Sequence, residues 1–370
     1  MVIPPGLLPE GLRDRLPPQA EALASLVRSL TASFASHGYD RVQPPLVEYE
    51  TSLGSRLGGA GRRELLRFTD PVSQHTLALR SDITGQVGRI AVTRLASAAR
   101  PLRLSYAGPV LRVRGTQLDP ARESVQVGVE LIGSDGAAAT AEIIGLAVAA
   151  LRGTGLGGVS IDLTLPTLVA DLAAAGWSLG RASLAEVQAL LDGKDVGGLA
   201  ALGADAFAPL IAAAGPARAA LARLGALALP MAVHDRLAAV AALVDSLSDI
   251  TITLDPTERH GFEYQTWIGF SLFGAGVQGE IGRGGAYRIV TPDGDSEAAI
   301  GFSLYVDGLV DLGLGQVQQR RVLIPLGTDP AAAAALRAEG WATVAALTTN
   351  ADASDFRCTH VWDGVNAQPI

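Results

Sequence analysis

The polar residues best placed to do chemistry lie on one predicted strand, Ser124–Ile132. Successive side chains of a strand point to opposite faces of its sheet. Gln126, Gly128 and Glu130 therefore share a face, and the glycine leaves a hollow between an amide and a carboxylate. Such a hollow can receive a small polar ligand, with Glu130 accepting from a cation and Gln126 fixing the orientation. The alternative is an ordinary solvated sheet face.

Neighbouring segments add further candidates. Arg112 and Arg114 share a face of the predicted strand Val110–Arg114, where paired guanidinium donors could hold a carboxylate or phosphate. Many exposed strands carry such a pair without binding anything. Asp82 stands where a strand passes into a helix, so it could contact a ligand or simply cap the helix. Tyr264 lies on an aromatic-rich strand, and residues of such strands more often belong to a core.

Composition excludes several classes of protein. Lys194 is the only lysine among 29 basic residues, and its surroundings lack the spaced glycines and hydroxyl of a phosphate-binding loop. Pyridoxal chemistry would need that same lysine and is not expected. Cys358 is the only cysteine, and the five histidines have no metal-ligand spacing. We therefore expect no cofactor, no metal site and no internal disulfide.

Charge and hydropathy bear on partners and location. The formal charge of −8 gives no general attraction to nucleic acid or to an anionic membrane. No uncharged apolar stretch reaches the roughly 18 residues that would span a bilayer, and residues 1–5 do not resemble a signal peptide. We predict a cytoplasmic protein that contacts neither membrane nor nucleic acid.

The candidate residues are positioned by a mixture of strands and helices. Helical periodicity covers Leu16–Phe34, Ile83–Ala98 and Gly136–Leu151. The glycines at 282, 284 and 285 are typical of a turn. The predicted strands before the region rich in alanine and leucine are Arg41–Val47, Leu65–Thr69, His75–Leu79, Leu102–Tyr106, Val110–Arg114, Ser124–Ile132 and Val159–Leu165; those after it are Thr251–Leu254, His260–Phe273 and Ile300–Leu304.

These elements predict an α+β protein in three parts. Residues 1–165 and 249–317 form a core in which an antiparallel sheet is flanked by helices. Residues 166–248 form an all-helical insert, broken by Gly176, Gly193 and Pro230. Residues 318–370 form a short C-terminal α/β segment, predicted as Val322–Pro325 (strand), Pro330–Glu339 (helix), Thr343–Leu347 (strand) and Thr359–Val361 (strand).

In this order the segments resemble class II aminoacyl-tRNA synthetases, histidyl-tRNA synthetase in particular, over about residues 7–315. The resemblance implies the synthetase fold and a motif 1 dimer interface. The C-terminal segment resembles a truncated remnant of the anticodon-binding domain. The segments that carry the resemblance are Gly38–Glu48 (motif 1), Leu79–Thr84 (LRPEGT), Tyr106–Arg112 with Arg122–Gly133 (motif 2), His260–Gln265 (RGLDYY), Gly284–Tyr287 (GGRYD) and Gly301–Leu309 (motif 3).

Four positions depart from the synthetase pattern. Arg114 stands for the motif 2 glutamate, Gly308 for the motif 3 arginine, His260 for the arginine of RGLDYY and Ala286 for that of GGRYD. The arginines at 260 and 308 would hold the ATP phosphates in the synthetases, so the resemblance implies that adenylation is lost. Arg259, next to His260, is positioned to replace one of them if the chain bulges there.

The amino-acid pocket of the family is retained. By resemblance the histidine-binding residues are Asp82 (in place of a glutamate), Thr84, Arg112, Gln126, Glu130 and Tyr264. This combination resembles the paralogues that serve as regulatory subunits of ATP phosphoribosyltransferase, the first enzyme of histidine biosynthesis. It implies a non-catalytic chain with no catalytic residues of its own, which forms a homodimer and binds free histidine.

The implied partner is a short-form catalytic subunit, whose activity requires this chain and which histidine inhibits through feedback. Two alternatives stay open. One is an active histidyl-tRNA synthetase. The other is a free-standing histidine-binding paralogue.

Overall fold

The computed structural model describes Pro4 and Gly261 together with residues 6–54, 65–115, 120–259 and 264–370. His260, Phe262 and Glu263, three positions of the RGLDYY-like segment, lie outside the described residues. The chain divides into two compact units, Met1–Gly315 and Gln316–Ile370. Within the described parts of the chain, no helix is both long and apolar enough to cross a membrane.

Nine strands of the described residues form one sheet in the first unit, in the order β1-β5-β6-β12-β11-β10-β7-β9-β8. Only the pairs β1–β5 and β7–β9 are parallel among them. The predicted antiparallel sheet flanked by helices is thereby confirmed. The strands are β1 Asp40–Arg41, β5 Leu102–Leu111, β6 Glu123–Ile132, β7 Ser160–Thr164, β8 Gly215–Pro216, β9 Thr251–Asp255, β10 Gln265–Phe273, β11 Gly282–Val290 and β12 Ser296–Tyr305.

One face of this sheet is covered by two long helices, Gln19–Ser36 and Ala137–Gly153. The first buries residues four apart, a spacing that keeps apolar side chains on one side of a helix: Ala22, Leu26, Leu30 and Phe34. The ring of Phe34 packs edge-on against Phe302 of β12, with 5.7 Å between centroids. The opposite face of β6, β11 and β12 carries the polar residues, so the packing of the helices decides which face can hold a ligand.

A smaller antiparallel sheet supports the segment that contains Asp82. Its strands are β2 Val47–Tyr49, β4 Thr76–Leu79 and β3 Arg67–Thr69, in that order. The helix Glu50–Gly54 follows β2, and the helix Thr84–Thr93 follows β4 after four residues. Asp82 thus lies in the short connection between a strand and a helix, as predicted from the sequence.

Short helices make up most of the insert. The predicted all-helical insert is wrong at one place, because β8 pairs with β9 and joins the insert to the edge of the large sheet. Ser183 and Glu186 begin one helix with a capping box, in which each side chain binds the other's backbone N–H. The helices are Leu168–Ala174, Leu184–Asp192, Val196–Leu202, Ala208–Ala213, Ala217–Gly225 and Met231–Ser246, with a 3₁₀ turn at Asp205–Phe207.

Two further sequence predictions need correction. The predicted strand Arg41–Val47 is divided into β1 and β2, because Pro44 and Pro45 have no N–H to donate to a ladder. The glycines at 282, 284 and 285 lie inside β11 and not in a turn. A Cβ on Gly284 would lie 2.4 Å from the Gly301 carbonyl oxygen, so the lack of a side chain lets the strands approach.

The second unit contains a four-stranded sheet in the order β14-β13-β15-β16. The predicted order of strand, helix, strand and strand is present, and β16 was not predicted. Its elements are β13 Arg321–Ile324, the helix Pro330–Ala338, β14 Ala342–Ala345, a 3₁₀ turn at Ser354–Phe356, β15 His360–Trp362 and β16 Ala367–Pro369. Cys358 is a free, buried cysteine that packs in this unit.

Candidate ligand pocket and its supports

A row of paired glycines forms the floor of the candidate site. Glu130 of β6 pairs with Gly301 of β12, and Gly301 pairs with Gly285 of β11. A Cβ on Gly301 would lie 1.9 Å from the Glu130 Oε2 atom. Only glycine at 301 therefore leaves space for the carboxylate. The position of Glu130 depends on a glycine more than 150 residues away in the sequence.

Glu130 is a buried carboxyl group held by two phenols. Its side chain is 1% exposed. The Tyr287 hydroxyl donates to Glu130 Oε2 at 2.8 Å, and the Tyr106 hydroxyl donates to Oε1 at 3.2 Å. Burial raises the pKa of Glu130 to about 8, although the hydrogen bond from Tyr287 opposes this effect. Burial also raises the pKa of both phenols well above their usual range, so they remain donors.

Asp82 and Thr84 form a second polar group beside this carboxyl. Asp82 Oδ1 accepts from the Thr84 backbone N–H at 2.7 Å, and Oδ2 accepts from Gln126 Nε2 at 2.8 Å. The Thr84 hydroxyl lies 3.2 Å from the Tyr106 hydroxyl. This network fixes the Asp82 carboxylate at the start of a helix, where partial positive charge favours an anion.

Gln126 supports these groups from behind. It is fully buried, and its oxygen accepts from the Ile83 backbone N–H at 2.9 Å. Besides Asp82, its nitrogen donates to the Ser303 hydroxyl at 2.7 Å. Since protein groups already satisfy both ends of the amide, Gln126 can hold Asp82 and Ser303 in place without contacting a ligand.

These side chains surround a small pocket of about 330 Å³, its open mouth included. Of the six predicted residues, Gln126 and Arg112 do not line it. The Arg112 guanidinium lies over the Tyr305 ring, 5.5 Å from its centre, and Tyr305 does line the pocket. The four predicted residues that line the pocket are Asp82, Thr84, Glu130 and Tyr264.

Among the lining residues missed from the sequence are Gln265 and Arg283. Gln265 belongs to the RGLDYY-like segment, and its position next to the predicted binding residue Tyr264 could have indicated it as a candidate. Arg283 lies one residue before the GGRYD-like segment, among glycines that were predicted to form a turn. Tyr264 is 55% exposed at the mouth, and its ring meets the Tyr287 ring edge-on at 6.3 Å.

Comparison with known proteins places this pocket in a family context. A model of the family described as histidyl-tRNA synthetase matches residues 11–309. A relative from Rhodospirillum centenum, named ATP phosphoribosyltransferase regulatory subunit, is 47% identical over 98% of this chain and 96% of its own length. A second relative of the same name, from Paramagnetospirillum magneticum, is 49% identical over 94% of this chain and 92% of its own length. The chain belongs to this family of regulatory subunits.

Solved structures agree on the architecture of the regulatory subunit family. A structure from Bacillus halodurans, described as an ATP phosphoribosyltransferase regulatory subunit/histidyl-tRNA synthetase, is similar with a TM-score of 0.81. Its sequence is 25% identical, and the match covers 96% of this chain and 97% of that one. The class II synthetase-like fold predicted from the sequence is confirmed.

Three of the four positions at which this regulatory-subunit chain departs from the synthetase pattern are described. Gly308 lies in the short helix Asp307–Asp311, Ala286 is fully buried in β11, and Arg114 is exposed. His260 lies outside the described residues. At the described positions 308 and 286 there is therefore no guanidinium that could contact a phosphate.

A larger, acidic cleft lies over strands β7, β9 and β10. Its volume is about 850 Å³, open solvent included. Lys194 Nζ lies 2.7 Å from Asp255 Oδ2, and Arg283 Nε lies 2.6 Å from Glu280 Oε1. No cluster with the arrangement of a metal site occurs among the residues that the structure describes. The carboxylates lining the cleft are Asp162, Asp255, Glu258 and Glu280.

Arg80 joins the pocket to the motif 1 region. It is 4% exposed, and burial lowers the pKa of its guanidinium. Its Nε donates to the Pro109 carbonyl at 2.8 Å and its NH1 to the Pro44 carbonyl at 3.0 Å. A Cβ on Gly108 would lie 2.2 Å from its NH2. One buried guanidinium thus ties two segments to the connection that carries Asp82.

Proposed function

We propose that this chain is the regulatory subunit of an ATP phosphoribosyltransferase and acts in the first step of histidine biosynthesis, in the cytoplasm. A short-form catalytic subunit would supply the chemistry and would need this chain for activity. The observation that carries the proposal is the close similarity, over nearly the whole chain, to relatives that bear this name.

Free histidine is the proposed ligand of the small pocket. Asp82 and Thr84 would hold its ammonium group, and Glu130 would bind the imidazole. Arg112 would meet the carboxylate, which its position over the pocket-lining Tyr305 supports. Each charged group of the amino acid would then have a fixed partner. Occupation of this pocket would be the signal for feedback inhibition.

We further propose that the chain has no adenylation activity of its own. Phosphoryl displacement needs fixed positive charge on the phosphates. Gly308, in the helix Asp307–Asp311, and Ala286, inside β11, supply none. Histidine-dependent exchange of pyrophosphate into ATP should therefore stay at the level of a no-enzyme control.

A homodimer through the motif 1 region, about Phe34–Val47, is also part of the proposal. β1 is the edge strand of the large sheet, and Asp40 and Arg41 are exposed. A symmetric contact of this kind is the commonest way in which identical chains pair. Light scattering at micromolar concentration should report twice the mass of one chain.

The decisive experiment combines this chain with a short-form catalytic subunit. We expect the two to co-elute, and we expect phosphoribosyl transfer to ATP only when both are present and to fall when histidine is added. If the catalytic subunit alone were equally active, or if the chains eluted separately, the regulatory function would be wrong. Pyrophosphate exchange by the single chain would instead support an active synthetase.

A further inference from the structure

Gln265 carries a hydrogen-bond acceptor that no protein group satisfies. The residue is 5% exposed, and its Nε2 donates to the Gly284 carbonyl at 2.9 Å. That bond fixes which end of the amide is the oxygen. Oε1 is buried and has no partner, and Gln265 lines the same pocket as Glu130. A buried acceptor is rarely left unpaired in a native protein, because desolvating it is costly.

The unpaired oxygen lies close to the Glu130 carboxyl. A Cβ on Gly285 would lie 2.3 Å from Gln265 Oε1, just as a Cβ on Gly301 would lie 1.9 Å from Glu130 Oε2. Gly285 and Gly301 are direct partners in the sheet. Side-chain positions on such partners are roughly 5 Å apart. The two oxygens therefore lie over neighbouring glycines, a separation that the two nitrogens of one imidazole ring can bridge.

We propose that Gln265 is a binding residue whose amide oxygen accepts one ring N–H of histidine, while the other ring nitrogen and Glu130 share a single proton. This inference rests on the proposed histidine pocket and deepens it. Either the carboxylic acid donates to a neutral ring, or the carboxylate accepts from a protonated one. Both arrangements contain one proton and leave one N–H for Gln265.

The charged and titratable groups around Glu130 agree with a single shared proton. Tyr106 and Tyr287 contact it as donors, so neither takes a proton from the ligand. Arg283 is the one cation lining the described part of the pocket, and Glu280 pairs with it. The remaining titratable groups that line the pocket are Asp82, from the connection before the helix Thr84–Thr93, Tyr264, from the turn before β10, and Tyr305, at the end of β12.

The consequence is a defined pH dependence of binding. The pKa of Glu130 is about 8 without ligand, and that of a free imidazole is about 6.5. Between these values Glu130 holds the proton and the ring lacks one, so binding moves a proton within the complex and exchanges none with water. Above pH 8 both groups are unprotonated, and binding must take up a proton. Affinity then falls by about tenfold per pH unit.

The first arm of the test is calorimetric titration of the full chain with histidine and with its two ring N-methyl isomers. Gln265→Leu and Gln265→Met remove the acceptor, and we expect about ten- to hundredfold weaker binding of histidine. The isomer that lacks the N–H facing Gln265 should bind wild type and both variants alike. Thr266→Val is the matched control: its hydroxyl is also buried and unpaired, but it does not line the pocket. Its affinity should equal that of wild type.

The second arm counts protons, by titrating in two buffers of different ionisation enthalpy. At pH 7.2 wild type and Glu130→Gln should exchange equal numbers of protons on binding. At pH 8.8 wild type should take up nearly one proton more than Glu130→Gln, since Glu130 and the ring are both unprotonated before binding. The ligand's ammonium group contributes equally to both proteins and cancels in the comparison. Equal affinity of wild type and both Gln265 variants, or an equal proton count at pH 8.8, would overturn this inference but not the proposed histidine pocket. If wild type bound no histidine, the proposed pocket itself would be wrong.

Discussion

Two hollows lie on the same face of the nine-stranded sheet, and they differ in how their polar groups meet solvent. Ser271 of the cleft pairs with Arg283 of the pocket, and Arg283 pairs with Ser303 of the pocket, across β10, β11 and β12. In the pocket, Glu130 is buried and held by phenols. In the cleft, Asp162 is exposed and accepts a hydrogen bond from the Thr253 hydroxyl.

This difference shows that the larger hollow is not the better candidate for a site. An exposed carboxylate is stabilised by water and by mobile counterions, so the acidic cleft needs no ligand to exist. A buried carboxyl group and a buried unpaired amide oxygen are costly, and neighbouring residues must hold them. Glu130 and the unpaired oxygen of Gln265 both line the pocket of about 330 Å³.

The largest expected effect is on histidine affinity in a matched pair of substitutions. Glu130→Ala should weaken binding by about 2–5 kcal/mol, roughly 30- to several-thousand-fold, because the bound imidazole would then lose the carboxyl group with which it shares a proton in a desolvated site. Asp162→Ala removes a carboxylate from the cleft and should change affinity less than about threefold. Calorimetry measures both, with circular dichroism to establish that each variant is folded. Equal losses would make the two hollows parts of one site.

The next effect concerns stability against pH. The pKa of Glu130 rises on folding from 4.5 to about 8, so the native state favours the protonated form. Its contribution is complete below pH 4.5 and is lost as pH rises through 8. The free energy of unfolding of wild type minus that of Glu130→Gln should therefore fall by about 3–5 kcal/mol between these values. Urea titrations at several pH values measure this difference, and a flat Glu130 difference would mean that this carboxyl is hydrated in the native state.

The pocket was predictable as far as local patterns reach. Alternation along Ser124–Ile132 places Glu130 and Gln126 on one face, and this needs only the two-residue period of a strand. Gly301 makes room for Glu130. The sequence alone does not show that these two residues are partners, because that requires the register of β6 and β12. The same lack of register made the β11 glycines resemble a turn. Gln265 was missed because only the structure shows that its nitrogen donates to the Gly284 carbonyl and that its oxygen is the end left unpaired.

Arg80 provides the next test, on the supports of the pocket. Arg80→Met leaves the carbonyls of Pro44 and Pro109 without donors in a buried site, and should lower the free energy of unfolding by about 2–4 kcal/mol. The matched control is Arg218→Met, which breaks an exposed ion pair with Asp245 and should cost less than about 0.5 kcal/mol. Urea unfolding measures both. Equal costs would show that Arg80 is not a structural link to motif 1.

The smallest expected effect is at Lys194, which forms an ion pair with Asp255 of the cleft. Its Nζ contacts Asp255 Oδ2 at 2.7 Å and the Thr257 hydroxyl at 2.6 Å, but the lysine and aspartate side chains are 36% and 29% exposed. Solvent screens such a pair, so Lys194→Met should lower the free energy of unfolding by less than about 1 kcal/mol, and by less still in high salt. Histidine affinity should not change, since Lys194 does not line the pocket. A loss above about 2 kcal/mol in urea unfolding would mean that the charges of the cleft are held as tightly as those of the pocket, because only a desolvated pair is worth that much.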